Sequence, residues 1–233
     1  MKQMAINCCL VILISSNLFA IAGFGVYGNY DMISHNGTVS DEENFTILAN
    51  PFNNTYGGGL FIYVDAIPIV DIEISREFAG NLHEAIFNAP ILGEFTGDLP
   101  WGRTSTYFTA RKKIVGLSFP FIAKAKLYVG GGFNKHSVTP KYSIDLLMDA
   151  FPLEDNLSEI FDLLEGDSEA VKKFANHVTD NMQSYSGFHL QAGLQAKLLI
   201  FSLFANARYT IAKDVITDKI GFPSAWIGLG IGI

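Results

Sequence analysis

The chain contains the stretch Phe188-His189-Leu190-Gln191-Ala192-Gly193-Leu194-Gln195-Ala196-Lys197-Leu198, in which every even position is apolar and every odd position is polar or glycine. This period of two is typical of a β-strand with one apolar face and one polar face. The apolar face is uninterrupted, whereas the polar face carries glutamine and lysine. A strand that has lipid outside it and a polar barrel interior behind it shows this pattern.

The same alternation recurs along the chain and predicts eight strands. They cover residues 24–32, 56–66, 69–78, 104–119, 121–134, 188–198, 201–211 and 225–233. In the fourth stretch Arg111-Lys112-Lys113 breaks the alternation, which indicates a β-bulge or the membrane edge. Six of the eight stretches have the 9–11 residues that a tilted strand needs to cross a bilayer, and residues 104–119 and 121–134 are longer.

The connections between these strands alternate between short and long. Those at Pro68, Pro120 and Leu198 are tight turns, whereas residues 33–55, 79–103, 135–184 and 212–224 form long connections. Short turns at one end and long loops at the other are typical of an outer-membrane barrel. A soluble lipocalin-like barrel, with its apolar face inside, is the alternative that the pattern leaves open.

Residues 1–22 have the features of a secretory signal peptide. Lys2 precedes an apolar run, and Ala20-Ile21-Ala22 is a small-residue cleavage site. We therefore predict export and cleavage after Ala22, with a single anchoring helix as the alternative. Cys8 and Cys9 lie in this segment, so residues 23–233, predicted to form one domain, contain no thiol for a disulfide, a metal or catalysis.

Composition narrows the classes of partner. The chain has 16 basic and 23 acidic residues, a net charge of −7, which argues against nucleic acid as a partner. After residue 22 no apolar run is long enough for a membrane-spanning helix. The histidines show no metal-ligand spacing, and no cofactor or metal is expected.

From about residue 23 to 233 the chain resembles the small eight-stranded outer-membrane barrels, the OmpA/OmpX/OmpW-like class. The resemblance implies an all-β fold, an eight-stranded antiparallel transmembrane β-barrel in a bacterial outer membrane. Its expected partners are outer-membrane lipid and the barrel-assembly machinery. One departure is the ending Gly230-Ile231-Gly232-Ile233, which lacks the terminal aromatic residue common in this class. This departure indicates a divergent lineage or a different assembly signal.

Residues 141–184 are predicted to be a helical extracellular insertion between strands five and six. Apolar residues at helical spacing begin at Ile144, Leu157 and Val171 and predict three short helices. The insertion could be a solvated cap, a surface for an extracellular partner, or a lid that holds a hydrophobic ligand. The residues expected to contact such a ligand are Ile144, Phe151, Phe161 and Phe174.

The polar faces place opposite charges inside the predicted barrel. We expect a lumen ion-pair network formed by Asp65, Asp71, Glu73, Lys124, Lys126, Lys197 and Arg208. Buried charges without a partner are costly, and an interior of eight strands is just filled by side chains. A conducting pore is therefore not expected.

The leading hypothesis is a non-enzymatic envelope protein with a structural, adhesive or ligand-contacting role. The first alternative is transport or binding of a hydrophobic molecule under the helical cap. The second is a lipid-modifying outer-membrane enzyme, because His189 and Ser202 both lie on polar strand faces.

Overall fold

The protein folds mainly into antiparallel β-strands. The structure, a computed structural model, describes residues 22–42, 45–65, 70–89, 93–119, 123–151, 159, 162–163 and 166–232. Within these residues ten strands are formed: β1 (Ala22–His35), β2 (Thr38–Glu42), β3 (Phe45–Ala49), β4 (Phe52–Val64), β5 (Asp71–Ala89), β6 (Gly93–Phe119), β7 (Ala123–Val138), β8 (Gln183–Leu198), β9 (Phe201–Ile211) and β10 (Gly221–Gly232). Two helices have described bounds, α1 (Ile144–Ala150) and α2 (Ser168–Asp180), and residues 159 and 162–163 are also helical.

Eight of the strands close into a ring. β1 pairs with both β4 and β10, β5 pairs with both β4 and β6, and β7, β8 and β9 complete the circuit. All of these pairings are antiparallel. The all-β antiparallel barrel expected from the alternation is therefore confirmed.

The apolar faces of the ring strands point outwards. Leu194 and Leu203 are 58% and 49% exposed, whereas Gln195 and Ser202, their neighbours in sequence, are buried. In a soluble barrel these two faces would be exchanged. The outer surface is thus an apolar belt, and the polar residues fill the interior.

The sheet extends beyond the ring at the end opposite the short turns. β5 continues to Ala89 and β6 starts at Gly93, and the short strands β3 and β2 add to the free edge of this extension. The sequence had predicted loops at 33–55 and 79–103. That prediction was wrong because this part of the sheet stands beyond the apolar belt, where neither face needs to be uniformly apolar.

The helices lie between β7 and β8. The predicted position between strands five and six needs correction, because β2 and β3 were not predicted and raise the strand count before the helices. The first of the three predicted helices corresponds to α1 and the third to α2. The second, residues 157–164, lies largely outside the described residues, and neither described helix is long and apolar enough to span a membrane.

The short-turn end of the ring is only partly described. β8 and β9 are joined by Leu199 and Ile200, as the sequence predicted. The turns predicted at Pro68 and Pro120, and the signal peptide up to residue 21, lie outside the described residues. The irregularity predicted at Arg111-Lys112-Lys113 is confirmed as a register shift between Lys113 and Val115.

Candidate functional site: the lumen and the platform above it

The lumen near the short-turn end contains a group of ion pairs, here called the lower cluster. Arg111 contacts Asp65 at 3.0 Å and Glu73 at 2.8 Å. Lys126 contacts Asp65 at 2.9 Å and Asp71 at 2.6 Å. The Arg111 guanidinium also lies 4.7 Å from the centre of the Tyr128 ring. The five charges come from β5, β6, β7 and Asp65, the residue after β4, and they meet in the interior because inward-facing positions alternate along each strand.

A second group, the upper cluster, lies nearer the loop end. Arg103 donates to Asp31 and to Glu77, both at 2.7 Å, and Arg208 contacts Glu77 at 3.3 Å. The Tyr27 hydroxyl donates to Glu77 at 2.8 Å. All four charged side chains are almost completely buried. Two cations and two carboxylates therefore neutralise one another inside the barrel.

An aromatic layer fills the space beside and between the two clusters. It consists of Tyr27, Phe61, Tyr63, Phe204 and Trp226. The rings of Tyr27 and Trp226 lie 4.7 Å apart, and those of Phe61 and Phe204 lie 4.9 Å apart. Inward-facing glycines on β1 and β10, such as Gly25 and Gly230, leave room for these rings.

Gln191 connects the two clusters along the opposite wall. Its Nε2 donates to Glu73 at 3.3 Å, and its Oε1 accepts from Arg208 at 3.4 Å.

At the loop end the lumen is closed by an apolar mouth cluster. Its buried members are Ile33, Phe52, Trp101, Val138, Ala212, Val215, Ile216 and Phe222. Side chains therefore occupy the lumen from the lower cluster to the mouth.

The single network predicted from sequence is divided between these sites. Asp65, Asp71, Glu73 and Lys126 meet in the lower cluster, whereas Arg208 pairs with Glu77 in the upper one. Lys124 and Lys197 lie directly opposite each other at the short-turn end and make no ion pair among the described residues. Lys197 instead donates to the carbonyl of Gly232 at 3.4 Å. The cations that contact Asp65 and Asp71 in the structure are Arg111 and Lys126.

Four central residues were missed by the sequence analysis: Asp31, Glu77, Arg103 and Arg111. Glu77 continues the alternation of Asp71, Glu73 and Ser75, so extending that pattern would have found it. Arg103 lies one residue before the predicted fourth strand. Arg111 was interpreted as an interruption, although it shares the inward face with Tyr107 and Thr109.

His189 and Ser202 are not brought together. His189 Nε2 lies 2.9 Å from Thr109 Oγ1, and Ser202 Oγ lies 3.3 Å from the Tyr63 hydroxyl. His189 is opposite Thr210, which is eight positions from Ser202 on β9. At about 3.3 Å per residue this separation is roughly 26 Å along the strand. The pair cannot act as a nucleophile and its base.

Beyond the ring, residues 38–42, 45–49, 81–89 and 93–101 form a sheet that α1 and α2 cover; together with these helices we call it the platform. Tyr142 and Leu146 pack against Ala49, Ala85 and Leu99 of the sheet. Of the predicted ligand contacts, Ile144 is buried, and Phe151 is buried with its ring stacked 6.2 Å from Phe174. Phe161 lies outside the described residues. The apolar stripes of α1 and α2 are thus used for packing within the platform.

A small cavity lies where the platform meets the mouth. It has a volume of about 40 Å³, and His35, His83, Trp101 and Tyr142 are among the residues that line it. That volume suits a few water molecules rather than a lipid-sized ligand. Among the described residues no group of three His, Cys, Asp or Glu side chains could hold a metal ion.

His35 and His83 lie on either side of Phe52. The ring of His35 stacks on Phe52 with centres 4.9 Å apart, and His83 lies 5.0 Å from the same ring. Burial lowers the pKa of His35, and nearby Lys141 lowers it further. Burial also lowers the pKa of His83, with a further effect from His35. Both imidazoles therefore favour the neutral form in the folded protein.

No protein-family model and no curated protein matches this chain. Among solved structures it is similar to Neisserial surface protein A, with a TM-score of 0.44 and 9% identity over 91% of this chain and 96% of that one. The N-terminal β-barrel domain of Pseudomonas aeruginosa OprF gives 0.41 and 12%, over 92% and 98%. Ail, the attachment invasion locus protein of Yersinia pestis in complex with the heparin analogue sucrose octasulfate, gives 0.40 and 12%, over 91% and 99%.

The resemblance to the small outer-membrane barrels is confirmed at the level of the fold. Eight antiparallel strands close the ring, the outer belt is apolar and the interior is polar.

Proposed function

We propose that this chain is an integral outer-membrane β-barrel that acts in the envelope without catalysis, through a structural, adhesive or ligand-contacting role. The observation that carries the proposal is a filled lumen beneath a folded platform. The lower cluster, the aromatic layer, the upper cluster and the mouth cluster follow one another along the barrel axis. A barrel of this kind anchors what stands on it, and the platform is the part available for contacts outside the membrane.

The apolar belt supports the membrane location. Outward residues on neighbouring strands, such as Val26, Leu60 and Leu229, are each more than half exposed and lie in one register row. Such a surface is stable in hydrocarbon and would aggregate in water. Export by a signal peptide cleaved after Ala22, and insertion by the barrel-assembly machinery, belong to this proposal.

The two alternatives receive less support. Binding of a hydrophobic molecule under the helices would need a cavity larger than the 40 Å³ found at the mouth. A lipid-modifying activity based on His189 would need a nucleophile within hydrogen-bond reach, and Ser202 is far from it.

Site-directed labelling tests the proposed location. Both cysteines lie in the predicted signal peptide, so single cysteines can be introduced into an otherwise thiol-free mature chain. Glu94→Cys, on the exposed platform, should react with a membrane-impermeant maleimide in intact cells. Leu199→Cys, in the exposed β8–β9 turn, should react only after the outer membrane is opened.

Bilayer recordings test the filled lumen. The purified barrel should give no steady ion conductance in a planar bilayer, and it should migrate differently on a gel before and after heating. A soluble periplasmic protein, labelling of Leu199→Cys in intact cells, or a stable open channel would each contradict the proposal.

A further inference from the structure

On β5 to β8 the outer face of the barrel changes from apolar to basic between two neighbouring register rows. In the first row Ile74, Phe108, Phe133 and Phe188 lie side by side across β5 to β8. In the next row towards the loop end, the same four strands present Arg76, Thr106, Lys135 and Ser186. Across these four strands the apolar surface therefore gives way to a row of two cations and two hydroxyl groups, which borders apolar residues at Leu60, opposite Arg76, and at Phe78, the next outward residue of β5.

The two cations lie on either side of one threonine. Arg76 is opposite Thr106, and Thr106 is opposite Lys135. Directly opposed side chains in a sheet are about 5 Å apart, so the Arg76 and Lys135 side chains start about 10 Å apart with the Thr106 hydroxyl between them. Both are long enough to converge on one group above Thr106.

These cations have no partner in the described part of the chain. Arg76 and Lys135 are exposed, and neither takes part in an ion pair there. β7 and β8 contain no acidic residue. The nearest carboxylates on the outer face of β5 and β6 in this direction are Glu84 and Asp98, eight positions away. That is roughly 26 Å along the strands.

A basic residue on the lipid face is costly near the centre of a bilayer and much less costly near its surface. Near the bilayer surface such a basic residue lies at the level of the lipid phosphates. Arginine binds phosphate through two parallel hydrogen bonds, and lysine and threonine add a charge and a donor. The aromatic rings of Phe108, Phe133 and Phe188 directly below provide an apolar surface for acyl chains.

We infer that Arg76, Thr106 and Lys135 form a binding site on the outside of the barrel for the phosphate group of a membrane lipid in the loop-side leaflet. The occupant is a lipid rather than a soluble anion, because the site borders the apolar belt and faces away from the lumen. The inference rests on membrane insertion but not on the role of the platform.

Native mass spectrometry of the detergent-solubilised protein tests the site. The probe is dioleoyl phosphatidic acid, and dioleoylglycerol, which has the same acyl chains without the phosphate, is the matched lipid. Wild-type protein should retain phosphatidic acid in preference to dioleoylglycerol. The Arg76→Gln/Lys135→Gln variant should bind phosphatidic acid at least about tenfold more weakly, because charge-assisted hydrogen bonds are lost.

The control removes the same charge elsewhere. Lys213→Gln/Lys219→Gln takes two exposed cations from the β9–β10 connection and should bind phosphatidic acid like the wild type. All three proteins must show the same heat-dependent gel shift, which verifies folding. Equal binding by the wild type and the Arg76/Lys135 variant, equal binding of the two lipids, or an equal loss in the control would overturn the inference.

Discussion

Arg103 on β6 donates to Asp31 on β1 over 2.7 Å, and neither side chain is exposed. Arg103→Met would leave Asp31 without its cation, because no other cation contacts it among the described residues. We expect the free energy of unfolding to fall by about 3–5 kcal/mol. Urea titration of the barrel in lipid vesicles, followed by tryptophan fluorescence, measures the loss. Arg103→Met/Asp31→Asn, which keeps Glu77 paired with Arg208, should recover much of it, and equal losses in both variants would contradict this account.

Leu194 and Gln195 are adjacent on β8, but Leu194 lies on the outer apolar belt and Gln195 lies in the lumen. Leu194→Arg should lower the free energy of unfolding by about 2–4 kcal/mol, because a charge is placed in hydrocarbon. Gln195→Ala should cost less, since the side-chain oxygen of Gln195 has no hydrogen-bond partner in the structure. The same urea titration compares them, and the reverse order would show that the two faces are assigned wrongly.

Gly25 and Gly28 distinguish the packed interior from the outer surface on one strand. A Cβ at Gly25 would lie 2.3 Å from the carbonyl oxygen of Leu229 and 2.5 Å from the Phe61 ring, whereas at Gly28 the nearest atom would be 3.9 Å away. Gly25→Ala should therefore cost about 1–3 kcal/mol through overpacking against the β10 backbone and the aromatic layer. Gly28→Ala should leave the urea midpoint nearly unchanged. Similar urea midpoints for both variants would mean that the side chains of the aromatic layer can shift to accommodate the added methyl group.

The platform should loosen in acid. The folded state lowers the pKa of both His35 and His83 below the ordinary 6.5. Well above pH 6.5 both histidines are neutral in the folded and in the unfolded protein, so their full contribution to the stability of the fold is present. As the pH falls below 6.5, the histidines of the unfolded protein take up protons first, and this contribution is lost. Limited proteolysis with an acid-active protease should cleave the platform faster at pH 5 than at pH 8, relative to an unstructured peptide substrate.

The variant His35→Phe/His83→Phe should reduce this dependence on pH, because it removes both titrating groups while keeping aromatic contact with Phe52. His177→Gln on α2 serves as the control and should retain it. Equal pH dependence in all three proteins would assign the effect to other groups.

Removing residues 141–182 and joining the ends with a short Gly/Ser linker should leave a folded ring. β7 and β8 would then need only a hairpin connection, and ring pairing satisfies their backbone groups. The platform sheet should become more sensitive to protease, because Ala49, Ala85 and Leu99 lose the cover of Tyr142 and Leu146. Loss of the heat-dependent gel shift in the shortened protein would show instead that the helices brace the barrel.

Alternation predicted the ring because every ring strand separates an apolar outer surface from a polar interior. For β9 the predicted and observed bounds are both Phe201–Ile211. The same rule failed for β2, β3 and the ends of β5 and β6, where no lipid imposes an apolar face. It also placed charges inside without pairing them correctly. Asp31 and Arg103 are 72 positions apart, and their meeting depends on the register of the whole ring.

The pairing of β1 with β10 has a kinetic consequence. Gly23 lies opposite Gly232, so this seam joins strands at nearly the greatest separation that the chain allows. Contacts between distant segments form slowly. Until β10 docks, β1 and β9 both present unpaired edges, which are templates for association with other chains. The interval between completion of β9 and docking of β10 is therefore the period in which a newly made chain is most vulnerable to aggregation.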